Sequence, residues 1–137
     1  MKAHAGWLSL VFCLGSAVPA DAVIAQAEQR MVLAPDESNA LFDTGLEVTF
    51  EAVVEDSRCP AGVSCVWEGD AVVRIRIDGA GVKPSIYTLH TNERGTREIG
   101  HRDMRIHLIS LTPLPTADGP PRAGDYRATL VARREKR

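Results

Sequence analysis

Aromatic residues make up only 5% of this 137-residue chain, which also holds three cysteines and four histidines. So few aromatics leave a core to be built mainly from aliphatic side chains, with Phe50, Trp67, Tyr87 and Tyr126 expected to carry a large share of its packing. Catalytic signatures are missing as well. There is no nucleophile elbow, no glycine-rich phosphate loop and no H-E-x-x-H pair. The cysteines do not form the Cys-x-x-Cys of disulfide exchangers, and Cys59 and Cys65 alone cannot complete a structural zinc site, which needs four ligands. Basic charge is not in excess: 16 Lys and Arg face 18 Asp and Glu for a net charge of −2. That balance argues against a dedicated nucleic-acid binder. These absences favour a non-catalytic binding or accessory role without a cofactor. The rival from catalysis is an enzyme with a dispersed site, which a motif search does not reach.

What is present begins with export. Lys2 gives a cationic start, Trp7 to Val18 form an apolar run of about a dozen residues, and an Ala-rich exit follows, the pattern of a secretory signal peptide. Residues 1–25 are read as that signal, with cleavage after Ala20 or Ala25. Cys13 lies inside the apolar run behind bulky Phe12, which does not match a lipidation site. Residues 26–137 suffice for one domain with one core and contain no run of membrane-spanning length. The mature chain is therefore expected in the periplasm or outside the cell. Cys59 and Cys65 remain there as an even pair, expected to bond to each other.

Along the mature chain no helical period is sustained. Arg30–Ala34 reads as a short first strand, and Pro35 to Asn39 as a turn. Leu46 to Val54 and Ala71 to Asp78 alternate strictly enough to be strands with one buried face. Ser85–His90, Thr96–Ile99, Arg105–Thr112 and Tyr126–Ala132 complete about seven. The alternation slips phase between Leu108 and Ile109, as a β-bulge would make it do. The expected fold is all-β, a single antiparallel β-sandwich, immunoglobulin-like in strand count. A true immunoglobulin domain joins its two sheets by a long-range disulfide, whereas this pair closes a local loop.

That loop is the most distinctive stretch. Asp56-Ser57-Arg58-Cys59-Pro60, followed by Cys65-Val66-Trp67-Glu68-Gly69, resembles a widespread group of small exported bacterial proteins sharing D-S-R-C-P…C-x-W-x-G. The likeness extends through Leu111-Thr112-Pro113-Leu114-Pro115 to the last strand, led by Tyr126. It implies export, a disulfide and a β fold, and leaves function open. Pro60 and Gly62 allow the turn that brings the cysteines together. Two roles then compete for Trp67. If a strand begins at Cys65, both residues share a face and the indole lies on the sulfurs as a plug. Alternatively, Trp67 and Arg58 are displayed as anchors for a protein or envelope partner, being residue types that dominate binding hot spots.

The histidines offer one further chemistry. His101, Met104 and His107, with Asp103 between and His90 as an additional ligand, are donors that suit copper in an exported protein. A periplasmic metal-handling protein is thus the first rival, ahead of the dispersed-site enzyme. Strand geometry weighs against it, since Met104 and His107 are three apart and should face opposite ways. Among the charges, Glu47 and Glu51 are expected opposite Arg74 and Arg76. The tail from Arg133 to Arg137 reads as a solvated basic end.

Overall fold

The computed structural model describes residues 27–135. The signal segment, its cleavage position and Cys13 lie outside the described residues. Eight strands form: β1 (Glu28–Leu33), β2 (Ser38–Ala40), β3 (Leu46–Asp56), β4 (Ala71–Gly79), β5 (Val82–His90), β6 (Glu98–His101), β7 (Met104–Thr112) and β8 (Arg127–Arg134). They make two antiparallel four-stranded sheets, ordered β1-β8-β7-β6 and β2-β3-β4-β5. The all-β sandwich is therefore the fold. Its strand β2 falls in and just beyond the stretch expected to be a turn, and is only three residues long.

Apart from β1, each sheet is a meander in sequence order, so the immunoglobulin likeness ends at strand count. Two seams separate the sheets, and side chains stitch both. At the β1/β2 seam, Gln29 Nε2 donates to Asn39 Oδ1 (3.1 Å) and to the Ala40 carbonyl (2.7 Å), while Gln29 Oε1 accepts from the Phe42 N–H (2.9 Å). At the β5/β6 seam, the Tyr87 hydroxyl lies 2.8 Å from His101 Nδ1. The His90 N–H there donates to the Thr96 carbonyl at 2.8 Å.

The core follows from the period-2 pattern. Val48 and Phe50 on β3, Val73, Ile75 and Ile77 on β4, and Ile106 and Leu108 on β7 are fully buried. Each such side chain contributes about 1.5–3 kcal/mol when removed from water. The phase slip on β7 is a bulge: its register against β8 shifts between Leu108 and Ser110. Arg74 and Arg76 both reach Glu51, at 2.9 and 3.4 Å. Glu47 stands opposite Asp78 instead of an arginine. The basic end is tied down within the described residues, with Arg133 on Glu28 at 2.9 Å and Arg134 on Asp43 and over the Phe42 ring.

Candidate functional site

The connection from β3 to β4 is built as an extension of the hairpin. The Ser57 N–H donates to the Asp70 carbonyl (2.7 Å) and the Cys59 N–H to the Glu68 carbonyl (2.9 Å). Cys59 and Cys65 are bonded, with Cα atoms 5.9 Å apart. Gly69 makes the return possible. Its φ is +69°, and a Cβ there would lie 1.8 Å from the Ser57 carbonyl oxygen.

Of the two residues singled out in the loop, Trp67 is exposed and Arg58 is buried. Trp67 is 71% exposed and Val66 91%, while Arg58 is only 8% exposed. No strand begins at Cys65; β4 starts at Ala71, and residues 66 and 67 lie in a bend. The face shared by Cys65 and Trp67 therefore does not exist, and the indole neither plugs the sandwich nor joins its core.

Arg58 closes that end of the sandwich. Its Nε and Nη2 form a two-pronged pair with Asp56 at 2.8 and 2.7 Å. Nη1 donates to the Leu111 carbonyl at 2.5 Å and Nη2 to the Pro113 carbonyl at 2.8 Å. The Tyr126 hydroxyl donates to Asp56 Oδ2 at 2.9 Å. The residue thus bolts the base of the loop to the end of β7, and its fork geometry suits this task better than a lysine. Burial pushes the Asp56 carboxyl up, but hydrogen bonds from Arg58 and Tyr126 outweigh it and hold the group below the usual carboxylate range. Burial, then the hydrogen bond to Asp56, pushes Tyr126 up to about 12.

Beside the loop lies an open cleft of about 730 Å³, whose lining includes Val66, Trp67, Asp70, His90, Asn92 and Arg94. Its floor holds a pair that sequence reading did not assemble. His90 Nδ1 is 2.6 Å from Asp70 Oδ2. The other carboxylate oxygen accepts from the Asn92 N–H (2.9 Å) and from the Thr91 N–H (3.1 Å). Burial pushes Asp70 up, but bonds from His90, Asn92 and Thr91 prevail and hold it low, so it is an ionised acceptor. Nδ1 therefore carries the proton of that hydrogen bond. Gly95 gives the ring its place, since a Cβ there would lie 2.3 Å from His90 Cγ. No family model, curated protein or solved structure matches the chain.

An aspartate that orients a histidine supplies two of the three members of a hydrolytic triad. Ser57 also lines the cleft, but its hydroxyl is held by Asp70, donating to the carbonyl at 3.0 Å and accepting from the N–H at 3.2 Å. What the cleft offers is an apolar aromatic wall beside fixed polar groups.

The copper ligand set is not brought together. Met104 is fully buried in the core. His107 faces the other way, beside Glu98 at 3.5 Å, and His101 is engaged by Tyr87. The spacing of three between Met104 and His107 has the consequence strand geometry demands. His90 sits with Asp70 instead. Among the described residues, no group of three His, Cys, Asp or Glu could hold a metal ion. No helix among them is long and apolar enough to cross a membrane.

Proposed function

We propose that this protein is an exported, non-catalytic binding or accessory module of the bacterial envelope that meets a protein partner through its cysteine loop, with Trp67 as the anchor. One observation carries the reading: Trp67 and Val66 are 71% and 91% exposed on a loop closed by a disulfide. A tryptophan held in water forgoes the burial that its large apolar surface would gain, and tryptophan is enriched at the centres of interfaces. Rigidity adds to the argument, because a loop bolted by Arg58 and the disulfide loses little freedom on binding. Export is supported by the signal-like residues 1–25, by the disulfide, which persists in oxidising compartments, and by the resemblance to small exported proteins.

Photo-cross-linking in the exporting cell tests the reading. A photoreactive residue at position 67 should give a discrete protein adduct. The same residue at Ile86, which is 60% exposed on β5, should not. No adduct from position 67, or the same adducts from both positions, would remove the support for a Trp67-centred interface.

A further inference from the structure

Strand β3 runs for eleven residues, but β2 pairs with only three of them, Glu47, Val48 and Thr49. Asp36 and Glu37 extend that cover by one residue, through bonds of 2.7 and 3.1 Å to the Phe50 carbonyl and N–H. From Glu51 to Asp56, the backbone bonds among the described residues run only to β4, on the other side. An edge of this kind presents unpaired N–H and C=O groups, a template for another strand.

The edge does not face open solvent. It walls a groove of about 370 Å³ whose opposite side includes Pro120, Pro121 and Ala123. All six consecutive residues from Glu51 to Asp56 line that groove. Six consecutive lining residues, running through two bulges, place the groove along the strand's edge and not over one face. The prolines opposite have no N–H to offer, which leaves β3 as the pairing side.

Charge narrows the occupant. The groove is lined by Asp36, Glu51, Glu55 and Asp56 and by no basic residue. Asp56 is taken by Arg58, and Glu51 by Arg74 and Arg76. Asp36 and Glu55 are exposed and make no ion pair among the described residues. Val54, 56% exposed, supplies an apolar contact between them.

We propose that this groove takes an extended peptide of alternating apolar and basic residues, which adds as a fifth strand beside β3. Main-chain bonds to Glu51–Asp56 supply affinity, while Asp36 and Glu55 select arginine or lysine. Register shifts between Phe50 and Ala52 and between Val53 and Glu55 keep the new ladder short. The site is separate from the Trp67 loop and stands or falls without it.

The test uses a capped octapeptide of alternating valine and arginine, titrated into the isotopically labelled, oxidised protein and followed by amide shifts and amide exchange. Saturable binding is expected, with shifts and slowed exchange at Glu51–Asp56. The same peptide N-methylated at every residue should bind at least about tenfold more weakly, because it cannot form the ladder. The double variant Asp36→Asn, Glu55→Gln should weaken the parent peptide by about three- to tenfold. No saturation up to about 1 mM, equal binding of the N-methylated peptide, or shifts confined to the Trp67 cleft would each overturn the proposal. Shifts at the same amides that depend on protein concentration alone would make the occupant a second copy of this chain, and would overturn it too.

Discussion

Asp56 and Arg58 stand two positions apart in the chain, and their side chains meet in a two-pronged pair that is almost fully buried, with side-chain exposures of 3% and 8%. Because the guanidinium also donates to the carbonyls of Leu111 and Pro113, this local pair fixes a long-range junction between the cysteine loop and the end of β7. Arg58→Ala leaves a buried carboxylate unpaired, and breaking a buried pair in this way costs about 3–5 kcal/mol. Arg58→Lys keeps the charge, loses the fork and should fall between wild type and Arg58→Ala. Urea unfolding followed by circular dichroism measures both; a loss below about 1 kcal/mol in Arg58→Ala would show that the bolt is dispensable.

Gly69 is the second point on which the loop depends. Gly69→Ala places a methyl group against the Ser57 carbonyl and forces a left-handed backbone on an L side chain, so a loss of more than about 1 kcal/mol is expected. Gly62 has a similar φ of +75° but open space around its Cβ position, so Gly62→Ala should cost less. A thermal melt of the two variants side by side checks the order.

The seam at Tyr87 and His101 predicts a pH dependence. Burial, helped by the nearby Arg102, lowers the His101 pKa in the folded protein. The unfolded chain therefore binds the proton more tightly than the folded one. The stabilising contribution is complete above the ordinary histidine value of about 6.5 and declines as pH falls from there through the lowered folded value. His101→Gln should flatten the fall in stability between about pH 7 and pH 5, measured by urea midpoints at each pH. An unchanged slope would contradict the burial of this ring. Asp56 and Asp70, both held low, add a separate loss at more acidic pH, below the usual carboxylate range.

Trp67→Ala should leave the fold nearly unperturbed, within about 0.5 kcal/mol, because the indole packs on no core residue. Its effect should appear in partner binding, as a loss of at least about 30-fold if the residue is the anchor. A large fall in stability instead would mean that the indole supports the loop.

Much of the sandwich is legible in the sequence because half-buried strands alternate. β3 and β4 can be read from Leu46 to Val54 and from Ala71 to Asp78, and the bulge on β7 can be read from one slipped residue near Ile109. The short strand β2 is not legible, since Pro35 to Asn39 carry turn chemistry and only three residues pair. The cysteine loop is legible as a staple but not in its orientation. The burial of Arg58 depends on carbonyls 53 and 55 residues away, which local spacing cannot show. The Asp70–His90 pair is hidden for the same reason, joining the start of β4 to the end of β5 across 20 residues. One trace of it lies in Gly95, where the absence of a Cβ lets the His90 ring approach closely.

The exposure of Trp67 can be measured directly in solution. In a Trp7→Phe background Trp67 is the sole indole, and its emission maximum and iodide quenching report its contact with water. A red-shifted, readily quenched emission in the oxidised protein is the predicted result. A blue-shifted emission protected from iodide would place the indole against the sandwich and contradict the reading of this loop as a displayed contact.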